Sequence, residues 1–102
     1  MFGSSLQGYI TVSYQELVNT FGVPNAQTDG YKTDAEWKMD VTRDGRQTVN
    51  IYNYKDGLNY MGNEGTPVEE ITRWHIGGQS HLAVQYVYGM LAKGLPPTSA
   101  YM

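Results

Sequence analysis

Hydrophobic and polar positions alternate along residues 31–41, which read YKTDAEWKMDV. Period-two alternation of this length is typical of a β-strand with one buried face and one face in water. The sequence therefore predicts a strand over these eleven residues. Its apolar side carries Tyr31, Ala35, Trp37, Met39 and Val41, and its polar side carries Lys32, Asp34, Glu36, Lys38 and Asp40.

A hairpin follows this strand. The Asp-Gly pair within RDGR (43–46) tolerates the positive φ angles of a tight turn. The next segment, QTVNIYNYK (47–55), alternates again and predicts the returning strand. Val49 and Ile51 lie on one face, and Thr48, Asn50, Tyr52 and Tyr54 lie on the other.

A helix with clear start and stop signals precedes the hairpin. Ser13 is a candidate N-cap, and Glu16 three residues later completes a capping box. Gly22 suits the residue after the last helical turn, and Pro24 prevents continuation. Immediately upstream, the residues ending in YITV predict a short strand.

The second half predicts a loop, a third strand and a final helix. Residues 56–67 contain several glycines and a proline and predict a long loop. EITRWHI (70–76) predicts the third strand, which Gly77 and Gly78 are expected to break. Ser80 is a candidate N-cap for the final helix, which ends at residue 94.

This order of elements predicts an α+β fold in which a small antiparallel sheet of three to four strands is covered on one face by two helices. We expect residues 1–94 to form a single domain and residues 95–102 to form a C-terminal tail. The other sheet face is then polar and contains several aromatic residues.

Composition narrows the functional classes. The 102 residues include no cysteine, which excludes disulfides and thiolate metal sites, and no apolar run is long enough to cross a membrane. The N-terminal residues lack the basic start and apolar core of a secretion signal. The net charge of −3 argues against non-specific binding to nucleic acid. Nine tyrosines suit half-exposed sheets and interfaces.

His75 is the first candidate for chemistry, since histidine titrates near neutral pH and can act as an acid, a base or a ligand. It shares a predicted strand face with Arg73, and Tyr52 and Tyr54 could lie opposite. A histidine on a wet sheet face can equally be an ordinary surface residue. We expect neither a metal site nor a cofactor, because the acidic residues and His81 are not spaced as a ligand set.

The second candidate is HIGGQS (75–80). A strand that ends in Gly77 and Gly78 before a helix capped at Ser80 could hold an anion, because backbone N–H groups at a helix start attract negative charge. The spacing matches no established phosphate-binding motif, and two glycines at a strand-to-helix turn are common for geometry alone.

Five blocks carry a resemblance: SLQGYI, SYQELVNTFGVP, DGYKTDAEW, IYNYKDG and TRWHIGG. Over residues 4–80 the chain resembles a family of small, uncharacterised proteins of tailed bacteriophages, in which YKTDAEW and WHIGG are the specific motifs. The resemblance implies a phage origin and the cytoplasm of an infected bacterium as the location. It brings no known activity and no catalytic residue.

We therefore expect a small phage-encoded, non-enzymatic binding protein that inhibits or modulates a host or anti-phage defence protein, in a role like that of anti-CRISPR proteins. The expected binding residues are Tyr52, Tyr54, Arg73, His75, Gly77, Gly78 and Ser80. An alternative is an oligomeric sponge that binds a nucleotide-derived signal at the Gly77-Gly78 turn. A His75-dependent enzyme and a structural role in the virion, through an exposed sheet edge, are also open.

Overall fold

The computed structural model describes residues 4–94 and has the predicted α+β architecture. Four antiparallel strands form one sheet in the order β1-β4-β3-β2. The strands are β1 (Ser5–Thr11), β2 (Glu36–Asp40), β3 (Thr48–Tyr52) and β4 (Arg73–Gly78), and the helices are α1 (Tyr14–Phe21), α2 (Leu58–Met61) and α3 (Leu82–Gly94). The predicted tail, residues 95–102, lies outside the described residues. Between residues 4 and 94 no helix is long and apolar enough to cross a membrane.

Two buried tryptophans form the centre of the core, between the sheet and the helices. The rings of Trp37 and Trp74 meet edge to face at 5.4 Å, and neither side chain is exposed. Trp74 donates its indole N–H to the carbonyl of Val12, just before α1, and Trp37 donates to the carbonyl of Gly22, just after it. The two indoles therefore fix both ends of α1 against one face of the sheet, as buried N–H groups require acceptors.

The start and stop signals of α1 are confirmed. The side chain of Ser13 accepts from the backbone N–H of Glu16, and Glu16 in turn accepts from the N–H of Ser13. Gly22 has a positive φ of 86° at the C-terminal end. On α3 the residues buried against the sheet recur at helical spacing, and they are Ala83, Val87 and Leu91. The two helices thus cover one sheet face, as predicted.

The predicted strand over residues 31–41 is wrong in its first half, since β2 begins at Glu36. A carboxylate oxygen of Asp29 accepts the backbone N–H groups of residues 31, 32 and 33. The side chain of Asn53 accepts the next two, from Asp34 and Ala35. Side chains thus take the N–H groups that a strand would have paired. Tyr31 is consequently exposed instead of buried.

The predicted loop over residues 56–67 contains the short helix α2 and a 3-10 turn at Gly62–Glu64. The carboxylate of Asp34 accepts the backbone N–H of Asn59, and the Asn59 side chain donates to the carbonyl of Thr33. These bonds hold the loop against the segment before β2. The loop is therefore an ordered part of the fold.

The prediction that Gly77 and Gly78 break the third strand is also wrong, since both lie inside β4. They pair with β1 on one side and with β3 on the other. A Cβ on Gly78 would lie 2.6 Å from that of Ala83 in α3 and 2.9 Å from the carbonyl of Thr48. Close packing of α3 on the sheet, and not a turn, requires this glycine. The strand ends at Gly78, and residues 70–72 of the predicted strand precede β4.

The predicted hairpin joins β2 and β3, with Gly45 at a φ of 73°. Asp44 accepts from the Thr42 hydroxyl and from the backbone N–H of Arg46, which stabilises the turn. The returning strand is shorter than predicted and ends at Tyr52. The next side chain, Asn53, is completely buried and bonds to the segment before β2.

Candidate binding face

The sheet face opposite the helices carries one row of residues that are paired directly across all four strands. Tyr9 of β1 faces His75 of β4, His75 faces Tyr52 of β3, and Tyr52 faces Glu36 of β2. Side chains alternate between the faces of a strand, so the neighbours of these residues point to the core. The row therefore stands on the face that α1 and α3 leave uncovered.

The aromatic rings of this row pack on one another. His75 stacks on Tyr52 at 5.3 Å between ring centroids with an interplanar angle of 26°. Tyr9 meets His75 edge to face at 5.0 Å, and Tyr54, two residues beyond the end of β3, lies 5.7 Å from it. Three tyrosines thus surround one histidine, in contacts that restrict the rotamers of all four side chains.

Two cations lie over tyrosine rings at the border of this cluster. The guanidinium of Arg73 lies 5.3 Å from the ring centre of Tyr9. The ammonium of Lys55 lies 5.2 Å from the ring of Tyr54 and 5.4 Å from that of Tyr60. All three distances suit a cation–π contact. We call the set formed by these residues the tyrosine face, and it consists of Tyr9, Tyr52, Tyr54, Lys55, Arg73 and His75.

The hydroxyls of the tyrosine face are available for a partner. None of the hydroxyls of Tyr9, Tyr52 and Tyr54 has a hydrogen-bond partner among the described residues. Burial raises the pKa of the Tyr52 hydroxyl, and the carboxylate of Glu36 raises it further. That hydroxyl therefore keeps its proton at neutral pH and remains a hydrogen-bond donor.

His75 is partly desolvated by the surrounding rings. Its Nδ1 atom is buried and has no hydrogen-bond partner among residues 4–94. Burial lowers the pKa of the imidazole, Asp56 opposes this by its negative charge, and Arg73 reinforces it by its positive charge. Because the pKa is lowered, the His75 ring is neutral at pH 7. The neutral form is also the one favoured by stacking on Tyr52 without a counter-ion.

The lowered pKa of His75 predicts a pH-dependent stability. At a pH above the usual histidine pKa of 6.5, the His75 ring is neutral in the folded and in the unfolded chain. As the pH falls below that value, the unfolded chain binds a proton before the folded chain does. The free energy of unfolding should therefore decrease on acidification through the folded-state pKa. We expect His75→Gln to show a smaller decrease between about pH 7 and pH 5.5 in urea unfolding. Equal decreases in both proteins would contradict the assignment.

The structure brings together four of the seven predicted binding residues, namely Tyr52, Tyr54, Arg73 and His75. Gly77 lies on the same face, but it is buried, and Tyr52 and Ser4 cover it. Gly78 packs against α3 on the other face. Ser80 lies after β4, where its hydroxyl donates to Gln47 and accepts from the backbone N–H of Leu82, two residues on.

Tyr9 and Lys55 also belong to the site, although they were not among the binding residues predicted from the sequence. Tyr9 and Thr11 alternate with Gly8 and Ile10, which does indicate a strand, but nothing in this pattern shows that β4 is the neighbour. Lys55 has a positive φ of 62°, which turns the chain away from the sheet after β3. Its position over the two rings depends on that turn.

The described residues contain few of the arrangements used in acid–base catalysis or metal binding. His75 forms no hydrogen bond to a carboxylate within residues 4–94. In the described part of the chain no three His, Asp or Glu side chains come together as a metal site. Asp34 and Glu36 do not share a strand face, because Asp34 precedes β2 and bonds to Asn53.

Two open depressions border the tyrosine face. One depression, of about 360 Å³, lies beside the first residues of β3, between Ser4, Asn50 and Gln79. Another of about 530 Å³ lies along the outer side of β2, next to Asn25 and Lys38. No residue of the tyrosine face lines either of them. The tyrosine face is therefore suited to contact across its surface more than to enclosure of a small molecule.

Comparison of the chain with protein-family models, with curated proteins and with solved structures finds no match.

Proposed function

We propose that this chain is a non-enzymatic binding protein whose tyrosine face docks a partner protein. The observation that carries the proposal is the cluster Tyr9, Tyr52 and Tyr54 around His75 on the uncovered sheet face, with three hydroxyls that have no hydrogen-bond partner within residues 4–94. Tyrosine and arginine are enriched among residues that dominate protein–protein binding energies.

The packing of the rings favours binding. Tyr9 and Tyr54 remain 46% and 42% exposed, which leaves apolar area to bury against a partner. Their contacts to His75 already restrict the side chains, so association costs less rotamer entropy than it would for isolated surface tyrosines. The face is therefore pre-organised as well as exposed.

A protein partner suits this face better than unpaired nucleic-acid bases. Base recognition on a sheet needs aromatic rings whose flat faces are open for stacking. Here one face of Tyr52 lies on His75, and the rings of Tyr9 and Tyr54 are covered by Arg73 and Lys55. The hydroxyls and the exposed parts of these rings remain to contact a partner, and they suit hydrogen bonds and apolar contacts to a protein.

The class of partner follows from the resemblance to small tailed-phage proteins. We propose a host protein or an anti-phage defence protein, bound in the cytoplasm of the infected bacterium and inhibited or modulated by the contact. We do not propose the alternative of a nucleotide sponge at a Gly77-Gly78 turn, since both glycines lie inside β4 and are buried.

The test compares capture from bacterial lysate by the wild-type chain and by the double variant Tyr9→Ser/Tyr54→Ser. We expect a protein retained by the wild type to bind the variant at least about 100-fold more weakly, since each tyrosine is expected to contribute at least about 1.4 kcal/mol. Val23→Ser is the matched control, because Val23 is 71% exposed and is not part of the tyrosine face. Retention of the same proteins with equal affinity by wild type and double variant would overturn the proposal.

A further inference from the structure

The two outer strands of the sheet, β2 and β1, differ in whether their outward backbone groups have hydrogen-bond partners. Along β2 the edge is closed, because Asn25 accepts the backbone N–H of Lys38 at 2.8 Å and donates to its carbonyl at 3.1 Å. The N–H of Ala26 adds a bond to the carbonyl of Glu36. The N–H and carbonyl of Lys38 and the carbonyl of Glu36, which an added strand would need on this side, are therefore occupied.

The edge along β1 is open over its regular part. The backbone N–H of Val12 bonds to the carbonyl of Thr72. Because backbone groups alternate in direction along a strand, Gly8 and Ile10 also point theirs to β4. Tyr9 and Thr11 consequently point theirs outward. The hydroxyl of Tyr88 donates to the carbonyl of Tyr9 from that side. The N–H groups of Tyr9 and Thr11 and the carbonyl of Thr11 have no partner among the described residues.

This edge also lacks most of the usual protection against pairing. The strand reads SLQGYIT and contains no charged residue and no proline. The register irregularity between Leu6 and Gly8 interrupts the edge at its start and leaves Gly8 to Val12 as the regular segment. A neutral, regular edge of five residues is a template for a further strand.

We propose that two copies of this chain pair along β1, antiparallel and centred on Ile10, to form one sheet of eight strands. In this register Tyr9 of one copy lies opposite Thr11 of the other, and the two Ile10 residues face each other. The outward groups of Tyr9 and Thr11 then exchange four backbone hydrogen bonds. The carbonyl of Tyr9 can keep its bond to Tyr88, because a carbonyl oxygen accepts two.

A second copy fits this edge for reasons of symmetry and charge. Each chain has one closed and one open edge, so a two-fold pair uses both open edges and stops there. Tyr9 opposite Thr11 is a favourable aromatic to β-branched cross-strand pair. The Arg73 residues of the two copies lie three strand spacings apart across the sheet and two residues apart along it, roughly 16 Å in all, which exceeds the screening length of about 8 Å at physiological ionic strength.

The pairing has a consequence for the molecule as a whole. A two-fold axis perpendicular to the sheet keeps both tyrosine faces on the same side of the eight-stranded sheet. The proposal does not depend on what the tyrosine face binds, because it follows from the backbone groups of β1. A failure of one proposal is therefore distinguishable from a failure of the other.

Sedimentation equilibrium of the wild-type chain at about 100 μM should give twice the chain mass of 11.4 kDa. Thr11→Pro removes an outward N–H and leaves the bonds to β4 intact, so it should give the mass of one chain with the fold retained. Thr11→Val keeps the N–H and should give the wild-type mass. A wild type that sediments as a single chain overturns the proposal, as does equal association by Thr11→Pro and Thr11→Val.

Amide hydrogen exchange gives a second readout that does not depend on the fold of a variant. In the wild type at about 100 μM, the amides of Tyr9 and Thr11 should exchange at least about tenfold more slowly than after dilution to a concentration at which the pair dissociates. The amides of Ile10 and Val12, which bond to β4, should be protected at both concentrations. Rapid exchange of Tyr9 and Thr11 in the concentrated sample would show that no strand, from a second copy or elsewhere, occupies this edge.

Discussion

Replacing Asn53 with alanine is expected to lower the free energy of unfolding by about 3–5 kcal/mol. The side chain is completely buried, and its oxygen accepts the backbone N–H groups of Asp34 at 2.7 Å and Ala35 at 3.0 Å. Its nitrogen donates to the carboxylates of Asp34 and Asp56. With alanine at position 53, the N–H groups of Asp34 and Ala35 have no acceptor. The carboxylates of Asp34 and Asp56 also lose the donor that they share. Chemical denaturation followed by circular dichroism measures the loss.

The matched control is Asn50→Ala, three residues earlier and within β3. Asn50 is partly exposed and donates to Glu36 at 2.7 Å, so water can replace that bond. We expect a loss below about 1 kcal/mol. If Asn53→Ala and Asn50→Ala destabilise the protein equally, the buried amide does not hold the two segments together as described.

Replacing Gly78 with alanine is the second change with a large expected effect, a loss of about 2–3 kcal/mol in the free energy of unfolding. The added methyl would lie 2.6 Å from Cβ of Ala83 and 2.9 Å from the carbonyl oxygen of Thr48. Neither neighbour is the end of a flexible side chain, so either α3 or β3 must move. Thermal and urea unfolding both measure this effect.

Gly77→Ala provides the comparison, because Gly77 is adjacent in sequence and also buried. Its added methyl would lie 3.3 Å from the hydroxyl oxygen of Ser4 and 3.5 Å from the Tyr52 ring, on the face opposite α3. A small side-chain adjustment accommodates this, so we expect a change within about 0.5 kcal/mol. A larger loss for Gly77→Ala than for Gly78→Ala would contradict the assignment of the two glycines to opposite faces.

Local signals along the chain predicted much of this fold. The capping box at Ser13 and Glu16, the end of α1 at Gly22 and the Asp-Gly hairpin turn are each encoded within a few residues, and the structure confirms them. The α+β class with two helices on one sheet face followed from the order of these elements. Of the candidate site, Tyr52 and Tyr54 could be placed on the polar face because Val49 and Ile51 alternate with the residues of that face.

The remaining features depend on contacts between distant residues. Asp29 and Asn53 take the backbone N–H groups of residues 31–35, and no alternation of apolar residues can reveal such bonds. Tyr9 joins the site only because β1 pairs with β4, more than sixty residues later in the chain. Gly78 resembles a strand breaker in sequence and is a close-packing residue in three dimensions, which only the position of Ala83 shows.

The central claim is that a protein partner docks on the tyrosine face, and site-specific photo-cross-linking tests it most directly. A benzophenone amino acid placed at Tyr54, in the tyrosine face, or at Val23, outside it, reports contact at either position in bacterial lysate. We predict a discrete cross-linked partner from position 54 that is absent from position 23 and is competed by unlabelled wild-type chain but not by Tyr9→Ser/Tyr54→Ser. Cross-linking from position 23 with none from position 54, or equal competition by the double variant, would contradict the claim.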